Sequence, residues 1–378
     1  SEMCIRDRET SDRGGNEWRG GKGALGVRKG PDPNPIYDTF LIAGEQSGQG
    51  ITDDLNGFNP EGLSRLDATI SNGRRNSSAT TFLNPALKRD NIKLQKNILV
   101  EKIFLENDRA VGIEVNEKGQ KYRIEAEKEI ILSAGALNSP QILMLSGIGP
   151  ADHLRNIGSN VSHDLPGVGQ NLQDHATVSI SWECLKEFEA HKIDRPINKI
   201  MAGIKWIITR KGLAASNHFE AGGLIRGNDN VKYPNLQYHF GPTGFDYIGG
   251  KFKLSQAFTL QLDQLRPHSK GYLKLKSLNP KDSPEIKLNY FKDPRDIKEL
   301  TEGVKKMREL VSQPVFDKYR GKEISPGSEI QSDSEIEQAI RLNTITDYHQ
   351  CGLSLIHISE PTRPERIAGG GGWGIKKI

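Results

Sequence analysis

Residues 131–175 read ILSAGALNSPQILMLSGIGPADHLRNIGSNVSHDLPGVGQNLQDH. An apolar run, Glu129 to Ser133, leads into the small residues Ala134, Gly135 and Ala136. Ser139 is a preferred helix N-cap and Pro140 suits the first helical position, so an apolar helix is expected to open there. Gly147 and Gly149 would close it, with Pro150 behind them. Strand, small-residue turn and helix in this order let the backbone approach a flat or anionic ligand closely. Many α/β proteins share that arrangement, so the residue types alone go no further.

The particular residues say more. The run from Gly135 through Ser139-Pro140 to Ser146-Gly147-Ile148-Gly149 resembles the second signature of the glucose-methanol-choline (GMC) flavin oxidoreductases. Pro166-Gly167-Val168-Gly169-Gln170-Asn171-Leu172 and Asp174-His175 resemble the segment that follows it in that family. Gly73-Arg74-Arg75, Ser77, Ala79 and Phe82-Leu83-Asn84-Pro85-Ala86-Leu87 resemble the approach to the later strands of its flavin domain. Taken alone, Arg74-Arg75 reads equally well as a solvated basic pair.

Both ends read differently. Ser1–Arg8, SEMCIRDR, and Leu353–Arg363, LSLIHISEPTR, resemble in-frame translations of a sequencing-library transposon end. The run Gly369 to Gly372 and the basic tail after it fit read-through. Residues 1–8 and 353–378 are therefore expected to be foreign and to lack stable packing. The resemblance then implies a partial FAD-binding domain at 9–175, a substrate-binding region at 176–268 and a partial C-terminal region at 269–352.

A chain of 378 residues is long enough for two domains with a sizeable core. Its net charge of +4 is a mild excess that makes no case for nucleic acid. No run of 18 or more apolar residues stands in it, so no transmembrane segment is expected. Three cysteines, one of them in the suspect first segment, are too few for a disulfide framework or metal cluster, and a reduced compartment is expected.

Glu17–Val27 is glycine-rich and reads as an irregular surface loop, Asn34–Tyr37 leads into a short helix through Ala43, and Thr52–Gly57 reads as a turn. Asn91–Val100 and Glu101–Leu105 read as strands broken near Asn97, followed by Ala110–Val115 and Tyr122–Ala126 in a meander, with Glu129–Leu132 returning as a further strand. Ala176–Glu183, Asn235–Phe240, Thr259–Leu265 and Gly271–Leu275 alternate polar and apolar residues, which suits an antiparallel sheet covered on one face. A helix is expected around Ile197–Thr209. Another carries Ile297, Leu300, Val304, Met307 and Leu310 at spacings of 3, 4, 3 and 3. Ser332 and Glu335 form a capping-box pattern before a helix ending near Leu342. The fold class is mixed α/β: an incomplete GMC fold with an antiparallel substrate-binding sheet.

Oxidising an alcohol requires a hydride acceptor, a base and a pocket. No side chain accepts hydride, so the acceptor is a cofactor. The resemblance implies FAD, with the main chain of Val100 meeting adenine and Ser133, Ala134 and Gly135 lining the turn beside the flavin. It also implies a histidine base with a second histidine or asparagine, both beyond the motif that begins at Tyr348-His349. Because the wording changes at Leu353, no catalytic residue is assigned. A dinucleotide site expects GxGxxG between a strand and a helix; no GxGxxG is read in residues 9–352, so that unit is expected to be missing.

Ala215-Ser216-Asn217-His218-Phe219-Glu220-Ala221-Gly222-Gly223 resembles the substrate-domain strand of the choline-oxidising branch of the family. The likeness continues at Pro234–Phe240, at Tyr319-Arg320-Gly321 and through Glu323–Gly327. Choline has no N–H to donate, so aromatic faces and a carboxylate must hold it. Glu220 beside Phe219 supplies one of each, and the resemblance implies that Glu220 faces the trimethylammonium group. The alternative is a glutamate paired with a nearby Lys or Arg at a strand edge. His218, two residues earlier on the same strand face, would tune the pocket's charge. His239 reads as a structural strand histidine, while Asp174 and His175, as strand neighbours, would face opposite ways. His239, His349 and the Asp174-His175 pair are left out of catalysis.

The resemblance thus implies a parent that oxidises choline to betaine aldehyde, passes hydride to flavin N5 and supports glycine betaine synthesis. A GMC alcohol dehydrogenase for aliphatic alcohols, or an inert fragment, are the alternatives. The electron acceptor is left open. The expected setting is the cytoplasm or, by peripheral association, the inner face of a bacterial membrane.

Overall fold

The structure, a computed structural model, describes residues 7–248 and 251–354. The expectations for 1–6 and 355–378, the Gly369–Gly372 run included, lie outside the described residues. The chain divides into two compact units, each built from three separated stretches.

The first unit takes the described part of Ser1–Ile92 with Ala176–Arg266 and Pro294–Ile345. Its sheet runs in the order Arg320–Ser325, Ala176–Cys184, Ala257–Gln264, Leu236–Gly241, Ala221–Ile225 and Gly62–Arg65, antiparallel at each step. The alternation in Ala176–Cys184 turns Val178, Ile180, Trp182 and Cys184 inward, and the register sets Ile180 opposite Leu260 and Trp182 opposite Phe258. Phe258 stacks on Trp182 and on Phe316, each at 5.5 Å between ring centres, while Phe240 stacks on Phe40 at 4.6 Å. Phe40 comes from the helix Pro35–Gln46, capped by Asn34, whose side chain accepts the Ile36 N–H.

The amphipathic spacing forms the helix Pro294–Val311 with Ile297, Leu300, Val304, Met307 and Leu310 all buried. The capping box forms too: Ser332 Oγ accepts the Glu335 N–H and the Glu335 carboxylate accepts the Ser332 N–H, opening Asp333–Asn343. The expected helix around Ile197 spans Pro196–Thr209. The loop expected at Glu17–Val27 turns into a strand at Leu25–Lys29, parallel to Glu9–Ser11 and antiparallel to Asp67–Ala68. The expectation that residues 9–352 hold no GxGxxG is corrected: Gly21, Gly23 and Gly26 stand at that spacing, but they enter the Leu25–Lys29 strand instead of leading from a strand into a helix, so the geometry of a dinucleotide turn is missing there.

The second unit takes Lys93–His175, Pro267–Asp293 and the described part of Thr346–Ile378. Leu99–Glu106, Arg109–Glu117 and Gln120–Glu125 form the expected meander. Asn91 to Ile98 form no strand, with Asn97 at a φ of 61°. Glu129–Leu132 forms no named strand either; Ile131 is exposed and only a bridge residue. The apolar helix begins at Gly135, not Ser139, and Pro140 stands inside it. Gly135, at a φ of 86°, turns the chain sharply enough for Ala134 to serve as the cap. The bond Pro140 cannot make is offset by burying Ile142, Leu143 and Met144 on this helix.

The wording change at Leu353 does not end the packing. Leu353 is 1% exposed within a cluster of Leu143, Met144, Ile148, Leu154, Val168, Leu172, Leu273 and Leu275. Its carbonyl accepts the Gly169 N–H at 2.7 Å, and Ser354 bridges Val168. An apolar side chain entering an apolar pocket packs whatever its origin. At the other end, the Arg8 carbonyl accepts the Leu25 N–H at 2.7 Å.

Candidate functional site

In the first unit, Glu220 lies at the entry to the Ala221–Ile225 strand and is 1% exposed. Its Oε2 accepts the Asp32 N–H at 2.5 Å. Its Oε1 is buried without a hydrogen-bond partner. The glutamate fits because Gly30 stands against it: a Cβ on Gly30 would come within 2.6 Å of the Glu220 Cβ. Burial raises the Glu220 pKa above the ordinary carboxylate value, and the neighbouring Asp32 adds to the rise, while Ser216, the Asp32 N–H and Arg65 oppose it.

Pairing with Lys or Arg, the alternative reading of Glu220, is not found among the described residues. Arg65, whose charge opposes the rise in the Glu220 pKa, is otherwise engaged. Arg65 ion-pairs with Asp38 at 2.8 Å, donates to the Asp32 carbonyl at 2.9 Å and lies over the Tyr37 ring at 4.6 Å.

His218 does not share a strand face with Glu220. The strand starts only at Ala221, and His218 has a φ of 75°, which breaks the alternation. Its Nε2 lies 2.5 Å from Thr243 Oγ1, its carbonyl accepts from the Tyr37 hydroxyl at 2.6 Å, and burial lowers its pKa. Phe219 packs edge-on to His218 at 5.5 Å and to His239 at 6.5 Å, over Gly241, where a Cβ would meet its ring at 2.9 Å. His239 pairs with the fully buried Asp263 at 2.7 Å, a cross-strand structural contact.

In the second unit, Val100 and Ala134 pack on one small cluster of Ile103, Ala110 and Ile142. Ser133 and Gly135 flank Ala134 in the chain; of the four residues, Val100 and Ala134 are the two that pack on this cluster. Val100 sits on the edge strand of the meander, which leaves one side of its main chain unpaired within that sheet. A Cβ on Gly135 would meet nothing within 4 Å. An open strand edge beside an uncrowded glycine turn fits a flat, polar-edged group held by main-chain contacts. Asp174, also in this unit, is buried and structural: it accepts from the Tyr290 hydroxyl at 2.5 Å, the Thr346 hydroxyl at 2.5 Å and the His349 N–H at 3.0 Å. That network joins residues more than a hundred positions apart, which no local sequence signal announces.

One unit carries an antiparallel sheet with a buried carboxylate at Glu220 and the other a glycine turn at Gly135 in the same unit as a three-stranded meander, a mixed α/β fold. The chain belongs to the GMC oxidoreductase family: its N-terminal region matches over residues 2–177 and its C-terminal region over 267–354. It is 42% identical over 345 residues to an oxygen-dependent choline dehydrogenase of Brucella ovis, a match covering 91% of this chain and 62% of that protein. It is 40% identical over 359 residues to the human mitochondrial choline dehydrogenase, covering 95% and 60%. The chain thus spans about three fifths of the length of these relatives. A formate oxidase from Aspergillus oryzae superposes with a TM-score of 0.84 at 22% identity, over 92% of this chain and 67% of that one. A pyridoxine 4-oxidase from Mesorbium loti superposes with a TM-score of 0.79 at 24% identity, over 93% and 65%.

Proposed function

We propose that this chain is part of an FAD-dependent alcohol oxidoreductase that takes choline to betaine aldehyde. The observation that carries the reading is Glu220: a buried carboxylate with one oxygen unpartnered and no Lys or Arg paired to it. Such a group is costly to leave empty. A quaternary ammonium relieves that cost without needing a hydrogen bond, whereas an aliphatic chain does not. FAD, when bound, supplies the hydride acceptor. On the protein side, Val100 and the Ser133–Gly135 turn would hold it by main-chain contacts, and Glu220 would hold the cation. His218, kept neutral by burial, adds no competing positive charge near Glu220.

The test is product formation by the full-length enzyme carrying these residues. Betaine aldehyde should accumulate from choline faster than aldehyde from an aliphatic alcohol of equal size. Turnover of the aliphatic alcohol with none of choline would favour the other substrate class. The chain has no strand–GxGxxG–helix unit among the described residues to seat the pyrophosphate, and it is expected to hold FAD weakly. Stoichiometric flavin after gel filtration with excess FAD would refute that.

We further propose peripheral attachment to an anionic membrane, through the helix Pro196–Thr209. No described helix is long and apolar enough to cross a membrane. This one instead turns Ile197, Ile200, Met201, Ile204, Ile207 and Ile208 outward, with Ile197 at 70% and Ile208 at 76% exposure. Its only charges are Lys199 and Lys205, with Arg195, Arg210 and Lys211 beside it. Its opposite face is fastened down: Trp206 Nε1 donates to the Gly73 carbonyl at 2.6 Å, and Arg210 lies over the indole at 4.4 Å. An apolar face with basic flanks suits the headgroup boundary of anionic lipid. The chain should float with phosphatidylglycerol vesicles and not with phosphatidylcholine ones, and Ile204→Glu with Ile208→Glu should abolish flotation. Flotation that survives both changes would refute the assignment.

A further inference from the structure

We propose that Arg65 is a positioning residue for Glu220: acting through the main chain of Asp32, it holds that carboxylate ready for a cation without pairing with it. The proposal rests on the reading of Glu220 as the choline carboxylate, and every residue in it belongs to the first unit.

The sheet brings the two charges together. Gly62–Arg65 pairs with Ala221–Ile225, which sets Arg65 opposite Ala221, the residue after Glu220. The pairing runs one step past both strands. The Leu66 N–H donates to the Glu220 carbonyl at 2.9 Å, and the Gly30 N–H donates to the Leu66 carbonyl at 2.8 Å. The segment that carries Asp32 is thereby drawn in beside the pair.

One residue then links them. The Asp32 N–H donates to Glu220 Oε2 at 2.5 Å, and the Asp32 carbonyl accepts from Arg65 Nη1 at 2.9 Å. Pro33 follows, and the residue before a proline is restricted to extended backbone, so gripping the carbonyl also aims the N–H. The Asp32 carboxylate is turned elsewhere, with Oδ1 accepting the Asn34 N–H at 3.0 Å.

Other contacts keep Arg65 from swinging in to neutralise Glu220. Its Nη2 pairs with Asp38 at 2.8 Å, and its guanidinium lies over the Tyr37 ring at 4.6 Å. The planar fork of an arginine serves carbonyl, carboxylate and ring at once, which a lysine ammonium does not. A directly paired arginine would have to be displaced by an incoming cation. Held one residue away, Arg65 still favours the ionised carboxylate and leaves Oε1 without a hydrogen-bond partner.

The groups around Glu220 fit this balance. Burial and Asp32 raise its pKa, while Ser216, the Asp32 N–H and Arg65 oppose the rise. Burial raises the Tyr37 pKa and lowers that of His218, so both stay neutral and add no charge. Asp32 in turn faces Glu189 and Lys205, and Asp38 is 67% exposed and screened by water.

The experiment follows the choline KM against pH in the full-length enzyme and in Arg65→Gln, Arg65→Lys and Asp38→Asn, with 3,3-dimethylbutanol as the uncharged reference. A contacting cation lowers a carboxylate pKa by about 1–3 units, and one held a residue away by roughly 0.5 to 1 unit. Arg65→Gln can still donate to the Asp32 carbonyl but carries no charge. In that variant the pH at which the choline KM climbs should rise by roughly 0.5 to 1 unit. At a fixed pH on that acid limb, the ratio of the choline KM to the dimethylbutanol KM should then increase roughly three- to tenfold. Arg65→Lys, which restores the charge, should recover more than half of the shift. Asp38→Asn leaves the Arg65 charge uncompensated and should move the limb to lower pH; as a change at an exposed side chain, it decides the matter if Arg65→Gln does not fold. An unmoved limb in Arg65→Gln, equal changes for the two alcohols, or an upward move in Asp38→Asn would each overturn the proposal. A wild-type enzyme with no choline limb would sink the reading of Glu220 itself, and this proposal with it.

Discussion

Replacing Glu220 with glutamine isolates charge from shape. The amide oxygen of glutamine can still accept the Asp32 N–H, now met by Oε2 at 2.5 Å, so the main-chain contact survives. What disappears is the negative charge on a carboxylate whose other oxygen is buried and unpartnered. With an effective dielectric near 20, opposite charges about 5 Å apart attract by roughly 3 kcal/mol before desolvation. Stripping water from the carboxylate has already been partly incurred in the folded protein, as its raised pKa indicates. A net loss of about 1 to 2 kcal/mol remains, which is roughly five- to thirtyfold in apparent KM for choline at 1.4 kcal/mol per decade. The uncharged isostere 3,3-dimethylbutanol should lose almost nothing. Steady-state kinetics on both alcohols with both full-length enzymes give the comparison. The wild type adds a second signature: as pH falls toward the raised Glu220 pKa, the choline KM should climb while that of dimethylbutanol stays flat. Equal losses for the two alcohols, or no divergence with pH, would mean that the carboxylate is structural and that no cation sits against it.

Leu353→Ala should cost about 2–5 kcal/mol of stability, because the side chain fills a closed apolar cluster; denaturant unfolding with no shift in midpoint would mean that the cluster does not include it. Ser332→Ala should cost about 1 kcal/mol by removing the cap of the Asp333–Asn343 helix, read as a lower urea midpoint, with Ser332→Asp restoring it. His218 and His191 are both buried with lowered pKa. Near and below the ordinary histidine value of about 6.5, the unfolded chain binds protons that the folded chain refuses. Their stability contribution is therefore complete above that value and lost as pH falls toward the depressed folded pKa. His218→Asn, which tolerates the positive φ, should flatten the acid side of the stability profile; an unchanged slope would show that His218 does not titrate there.

What the sequence determined by itself was local. Alternation in Ala176–Glu183 and Thr259–Leu265 marked strands because a pleated backbone repeats every two residues. Ile297 through Leu310 marked a helix because a buried stripe repeats near 3.6. The wording of residues 131–175 identified the family, although the start of its helix was misjudged: a left-handed Gly135 behind an Ala134 cap competes with a Ser-Pro start, and burial of the following residues decides between them. Tertiary structure alone decided the rest. Gly62–Arg65 joins the sheet beside Ala221–Ile225, and Asp32 reaches Glu220 across 188 positions. His175 meets His349 across 174. The Pro196–Thr209 helix has the composition of a core element yet turns its isoleucines outward, because Trp206 fastens the opposite face. Period is a property of one backbone segment and can be read along it. Partnership depends on which distant edges close on each other, and folding of the whole chain fixes that.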